Sequence, residues 1–239
     1  PYTTLFRSPN VATVYEVPLT VARDLGQLLS EFSGVTTEPK LERWQRLARR
    51  DDTEYPHEIR VGLVAKYTDN SDTYLSVTEA LKSAAWANNS EIRIEWISAE
   101  EASDEDFAEV DAVVVPGGFG ERGVEGKIAA ATYCLEHDKP YLGICLGLQV
   151  AVIAAARRGG IADANSEEFG AEAGKDVVYI MDGQEGKEST GGTMRLGDYP
   201  AKLVAESLAA RVYDATEVTE RHRHRYEVNQ QFTQAVAAG

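Results

Sequence analysis

The run Gly143-Ile144-Cys145-Leu146-Gly147 puts a cysteine between two glycines, after an apolar stretch and before a helical one. This is the sulfur version of the nucleophile elbow, G-x-C-x-G. The flanking glycines permit a sharp turn that pushes the thiol out above a sheet. A helix starting at Leu146 would point its positive end at the sulfur and favour thiolate, with the Leu146 N–H as an oxyanion donor. The competing reading is a buried structural cysteine. It suits Cys134 better, because Cys134 lies in the helical run Ala129-Ala130-Ala131-Thr132-Tyr133-Cys134-Leu135.

A second Gly-rich turn, Pro116-Gly117-Gly118-Phe119-Gly120-Glu121-Arg122-Gly123, follows Asp111-Ala112-Val113-Val114-Val115. Gly118, Gly120 and Gly123 match G-x-G-x-x-G, but the dinucleotide fingerprint expects the first strand-to-helix turn and an acid closing the next strand. This turn follows a third strand, the next strand ends at Cys145, and Asp138 comes before that strand. Two readings stay open: a tight turn that needs glycines, or a loop that presents backbone N–H groups to a ligand oxygen. In Arg221-His222-Arg223-His224-Arg225 the histidines would share one strand face, yet no third metal ligand is suggested. The acids Glu100, Glu101, Asp104, Glu105, Asp106 and Glu109 read as a solvated helix face.

These turns need a scaffold. Residues 59–65, 91–97, 111–115 and 141–144 read as strands. Residues 73–88, 127–136 and 146–158 read as helices between and after them. Runs such as Ala112-Val113-Val114-Val115, apolar on both faces, predict an α/β layer fold with a central, mostly parallel sheet. Further short strands are expected at 177–180 and 202–204. Before residue 59 the pattern predicts a strand over 11–17, a helix over 19–32 broken at Gly34, an amphipathic segment over 41–50 and a polar linker over 51–58.

The 239 residues are 43% hydrophobic, enough for a core and too many for disorder. With 39 acidic against 24 basic residues the net charge is −15, which would repel nucleic acid and anionic membranes. Two cysteines cannot build a disulfide framework and fit a reducing cytoplasm. No apolar run reaches the roughly 18 residues of a membrane span, and no basic-then-apolar leader opens the chain. Residues 1–8 look like a translated sequencing adapter and are set apart from the fold.

Val115-Pro116-Gly117-Gly118-Phe119-Gly120, followed by Tyr141-Leu142-Gly143-Ile144-Cys145-Leu146-Gly147-Leu148-Gln149, resembles the class I, triad-type glutamine amidotransferases. Three further strings narrow the resemblance to the CTP synthases: Gly191-Gly192-Thr193-Met194-Arg195-Leu196-Gly197, Ala164-Asn165-Ser166-Glu167-Glu168-Phe169, and Arg221-His222-Arg223-His224-Arg225-Tyr226-Glu227-Val228-Asn229. The resemblance covers residues 9 to 239. It implies a three-layer, flavodoxin-like α/β domain over 59–239 that lacks its C-terminal end, with 9–50 as the tail of an amidoligase domain and 51–58 as the linker. It implies that Cys145 attacks the glutamine amide and forms a thioester. Gly118 and Leu146 would hold the oxyanion. Gly118, Leu146, Gly147, Leu148, Gln149, Glu168 and Arg225 would bind glutamine. Gln149 as a plain inward polar residue and Glu168 as a solvated loop acid stay open beside those roles.

In that family the base and its orienting acid sit in a Phe-His-Pro-Glu-like string that this sequence does not contain. The chain is therefore expected to be a fragment, inactive alone, of an enzyme that aminates UTP to CTP. ATP and Mg2+ belong to the amidoligase domain; UTP and the activator GTP are partners of the full-length enzyme, expected as a homotetramer. No cofactor or metal is expected in this part. A non-catalytic glutamine-binding or assembly module of the same fold is the alternative.

Overall fold

The computed structural model describes residues 11–35, 39–170, 175–181 and 195–239. The expected adapter segment at 1–8 and the first four residues of the Gly191–Gly197 string lie outside the described residues. The chain separates into two compact units, residues 1–58 with 83–91 and residues 59–82 with 92–239.

In the smaller unit, the strand expected over 11–17 is not formed. Val14–Glu16 is a 3-10 turn whose start is capped by the Thr13 side chain, and helix α1 runs Val17–Ser33. Pro18 explains the difference: in the first helical turn its fixed φ fits and its missing N–H costs nothing. Helix α1 closes at Gly34, as expected. Helix α2 (Glu42–Asp51) carries Glu42 in its first turn and Arg49 and Arg50 in its last, each suited to the helix dipole.

Except for residues 57 and 58, at the start of its first strand, and 83–91, the end of one helix and the start of the next strand, the larger unit holds the α/β layer fold. Its elements run β1 (His57–Ala65), α3 (Leu75–Ala87) after a 3-10 turn at Ser71–Tyr74, β2 (Ser90–Ser98), α4 (Asp104–Ala108), β3 (Ala112–Val115), α5 (Val124–Glu136), β4 (Tyr141–Gly143) and α6 (Leu146–Arg158). The sheet order is β2-β1-β3-β4, with β1 parallel to β3 and β3 parallel to β4. Both faces of β1 and β3 are covered. Val64, Val113 and Val115 join Phe107, Ile128 and Ile153 in one core, while Val61, Leu63, Ala65 and Val114 join Tyr74 in another. The acidic run is only partly helical: α4 takes Asp104 to Ala108, and Glu100, Glu101 and Glu109 flank it. Ser103 and Asp106 cap it reciprocally, and Phe107 buries its one apolar face.

Strands β5 (Asn165–Ser166), β6 (Asp176–Ile180) and β9 (Tyr226–Val228) form a second sheet. A long hairpin pairs β7 (Arg195–Lys202) with β8 (Glu217–His224), around helix α7 (Leu208–Tyr213). Of the short strand expected at 202–204 only Lys202 is extended, as the last residue of a longer strand that eight cross-strand pairs hold from Arg195 onward, and residues 203 and 204 lie beyond it. Helix α8 (Thr233–Ala238) packs on α6. No described helix is long and apolar enough to cross a membrane.

Candidate active site

Pairing of β3 with β4 sets the two Gly-rich turns side by side at the C-terminal ends of their strands. Val115 pairs with Gly143, and the Ile144 N–H donates to the Val115 carbonyl at 3.0 Å. Cys145 comes next, as the N-cap of α6, with φ 55° and ψ −110°. A side chain in that backbone region costs on the order of 1–3 kcal/mol. The strain therefore sits on the cysteine, and neither Gly143 nor Gly147 has a positive φ. This corrects the expected role of the glycines. A β-carbon at Gly143 would run into the backbone of Gly147, and one at Gly147 would overlap the Val115 carbonyl oxygen. The glycines let helix α6 start directly on the ends of β3 and β4.

The Leu146 N–H donates to the Cys145 sulfur, and the thiol itself donates to the Arg223 carbonyl at 3.6 Å. Gly117 lies against the cysteine: a β-carbon there would stand 3.3 Å from Cys145 Cβ and 3.7 Å from Sγ. Gly118 is next, between Leu146 Cδ2 and Lys127 Nζ, each 3.5 Å from where its β-carbon would be. The peptide after Phe119 is held at both ends. Lys66 Nζ donates to the Phe119 carbonyl at 3.1 Å, and the Gly120 N–H donates to Glu168 at 2.9 Å.

Burial pushes the Cys145 thiol above its ordinary value and Glu168 adds to that, while the Leu146 N–H, Lys127 and Arg223 pull it down. The expectation that the helix end leaves a thiolate is therefore corrected: one N–H and two cations do not offset desolvation. Burial also raises Glu168, opposed by the Gly120 N–H, Arg225, Lys127 and Lys66. Lys127 is lowered to about 8, first by burial and then by Lys66, with Cys145 and Glu168 holding it up. Cys134, 3% exposed in α5, is pushed up to about 11 by burial.

The residues singled out from sequence gather around this elbow. Leu146 and Gly147 are buried in the first turn of α6, and the Gly147 carbonyl accepts from Tyr141 Oη at 2.7 Å. Gln149, 6% exposed, donates through Nε2 to the Tyr226 carbonyl at 3.3 Å. Arg225, 8% exposed, is close enough to Glu168 to lower its pKa. Leu148 is exposed and lines a cavity of about 490 Å³ with Cys145, Gln149, His222, His224 and Tyr226. Sequence reasoning missed Lys127, Lys66 and the Arg223 carbonyl. For Lys127 a signal existed: with Ala130, Ala131 and Cys134 it falls on the buried i, i+3, i+4, i+7 stripe of α5.

The two strand histidines share a face, with His222 Nδ1 and His224 Nε2 2.8 Å apart and His224 Nδ1 3.0 Å from the Tyr226 carbonyl. That carbonyl can only accept, so His224 carries its proton on Nδ1 and its Nε2 accepts from His222. Burial lowers the His224 pKa, which favours this neutral form. Neither ring hydrogen-bonds the Cys145 sulfur, whose partner is a carbonyl. Among the described residues no group of three or more His, Cys, Asp or Glu is placed to hold a metal ion.

Residues 70–238 match the family described as glutamine amidotransferase class-I. The CTP synthase of Corynebacterium kroppenstedtii is 44% identical over 238 residues, which is 95% of this chain and 43% of that protein. The CTP synthase of Methanocaldococcus jannaschii is 43% identical over 233 residues, 92% of this chain and 43% of that protein. The chain thus spans less than half the length of these curated relatives. Among solved structures, the glutaminase domain of Trypanosoma brucei CTPS with bound acivicin superposes with a TM-score of 0.68 at 38% identity, over 75% of this chain and 71% of that one.

Proposed function

The chain belongs to the class I glutamine amidotransferase family, and we propose that it is the glutamine-hydrolysing part of a CTP synthase, with Cys145 as the nucleophile. The observation that carries the reading is the elbow itself: a strained cysteine at a helix N-terminus, with the Leu146 N–H on its sulfur and the Gly117–Gly118 turn against it. The sulfur, once deprotonated, attacks the side-chain amide carbon of glutamine. The C–N bond breaks, the nitrogen takes a proton and leaves as ammonia, and water cleaves the thioester to glutamate. The N–H groups of Gly118 and Leu146 hold the oxyanion, each such donor being worth roughly 3–4 kcal/mol. Glu168 receives the α-ammonium, and the adjacent Arg225 suits the α-carboxylate. Gly147, Leu148 and Gln149 complete the wall from the first turn of α6.

The same reading assigns residues 9–50 to the tail of an amidoligase domain and 51–58 to a linker. ATP, Mg2+ and UTP then belong to that domain of the full-length enzyme, which responds to GTP and assembles as a homotetramer in the cytoplasm. The test is covalent. A diazo-ketone analogue of glutamine should modify Cys145, glutamine should protect against it, and Cys134 should stay unmodified because it is buried with its thiol at about 11. Mass spectrometry that found Cys134 as the main adduct would overturn the assignment. Glutamine protection against a general thiol reagent with no diazo-ketone adduct would favour a binding module without catalysis.

A further inference from the structure

Lys127 is the residue near the elbow that the reading above leaves without a task. It is 1% exposed, and its Nζ ends 3.5 Å from where a β-carbon of Gly118 would stand. Its neighbours on that helix face, Ala130, Ala131 and Cys134, are small and buried and offer it no acceptor. No hydrogen bond or ion pair joins Nζ to another described residue. Burying a lysine costs folding free energy, so an aliphatic residue would serve the core better. Its surroundings are one-sided. The groups that face it are the Cys145 thiol from the start of α6, Glu168 from the 3-10 turn at Glu167–Phe169, and Lys66 after β1. Arg225 and Arg223 act on the same two acidic groups.

We propose that Lys127 is a positioning residue for the elbow: its buried ammonium, seated under Gly118, supplies the positive potential that allows Cys145 to ionise and keeps Glu168 ionised for the glutamine α-ammonium. The proposal rests on the reading of Cys145 as nucleophile. It adds the source of the charge that the helix end alone does not supply. A second charge, on Lys66, is tied to the Phe119 carbonyl and fixes the loop instead of facing the sulfur. The coupling also sets a ceiling in pH. Lys127 loses its proton at about 8, while burial holds the thiol above its ordinary value, so the potential acts below that pH and fades above it.

The test reads the thiol directly and needs no turnover. The rate of Cys145 alkylation by iodoacetamide is followed against pH by mass spectrometry, which separates it from Cys134. In Lys127→Met alkylation should be about tenfold slower near neutrality, with the difference closing as pH rises past about 8; Lys127→Arg should restore most of the lost rate. Lys127→Met should also melt at or above the temperature of the unaltered chain. Because folding lowers the lysine pKa from 10.5 to about 8, the unfolded chain binds the extra proton in between. The unaltered chain therefore gains stability as pH rises through that window, and the advantage of Lys127→Met should shrink there. A pH profile of Lys127→Met that superimposes on that of the unaltered chain overturns the proposal. Should the variant not fold, Lys127→Arg decides: its permanent charge should keep Cys145 alkylation fast above about pH 8, where the unaltered chain loses the lysine charge, and a profile identical to that of the unaltered chain overturns the proposal. A Lys127-dependent thiol with no diazo-ketone adduct would reject the glutaminase reading alone. An adduct with a Lys127-independent thiol would reject this inference alone.

Discussion

Cys145 is held where a side chain is least comfortable, and that cost is measurable without any substrate. At φ 55° and ψ −110° a glycine would carry no β-carbon penalty, whereas alanine keeps it. Cys145→Gly should therefore be more stable to urea than Cys145→Ala by about 1–2 kcal/mol, the reverse of the order expected for a buried helix position. Equal midpoints would mean that the elbow relaxes once the sulfur is gone. At this scale, the residues whose chemical type announced a role, Cys145 above all, were legible before any fold was known. Gln149, Glu168 and Arg225 came only through the resemblance, since each is an ordinary residue by itself, whereas Gly118 also stood out in its Gly-rich turn. Lys127 was legible in principle, as a cation on an apolar stripe. What hid it is that burial is a tertiary fact: the stripe needs both α6 and the Gly118 turn beside it before a lysine there becomes unusual. The same holds for the Cys145 thiol. A helix end beside it was readable, but the desolvation that outweighs that helix end was not.

Helix α6 is the element that joins the two turns, and its contact with the sheet leaves no room for a side chain at its second residue. A β-carbon at Gly147 meets the Val115 carbonyl oxygen, a backbone atom that no rotamer change can move. Gly147→Ala should cost roughly 1–3 kcal/mol or more, read as a lowered urea midpoint, and should slow diazo-ketone labelling by displacing Cys145. Gly26→Ala is the control: Gly26 lies within α1 with nothing inside 4 Å of its added β-carbon, so the change should be neutral or stabilising by roughly 0.5–1 kcal/mol. A Gly147→Ala chain as stable as the Gly26→Ala control would show that α6 can slide off β3. Strong periodicity made α6 readable to the residue, and β1, β3 and β4 nearly so. The hairpin of β7 and β8 was not, because it depends on pairing Arg195 with His224, twenty-nine positions apart, and local alternation carries no record of the partner. The 11–17 segment failed for a local reason: its β-branched and aromatic residues, Val11, Thr13, Val14, Tyr15 and Val17, favour a strand by type until Pro18 fixes the following turn as helical.

In the molecule as a whole, the elbow, the Gly118 turn, Glu168 and Arg225 all fall within the unit of residues 59–82 and 92–239, so a site built from them draws on that unit alone. Among the described residues there, no histidine hydrogen-bonds the Cys145 sulfur. Forming the thioester requires a group to take the proton from Cys145 and return it to the departing nitrogen. In this structure the thiol donates to the Arg223 carbonyl, which can do neither, and the His222–His224 pair is engaged with itself and with Tyr226. The purified 239-residue chain should accordingly release ammonia from glutamine very slowly and form no CTP from UTP and ATP. Loss of the base from a nucleophile–histidine pair typically costs on the order of 10⁶ in turnover. The higher reactivity of a thiol and the two oxyanion donors should make the deficit somewhat smaller here. The measurement is ammonia release by this chain beside a version extended with a CTP synthase C-terminal segment carrying the Phe-His-Pro-Glu string. A gain of several orders of magnitude on extension is expected. Comparable rates in the two would mean that a residue already present accepts the proton, and His222→Ala and His224→Ala in the unextended chain would then show which ring leaves its hydrogen-bonded pair to do so.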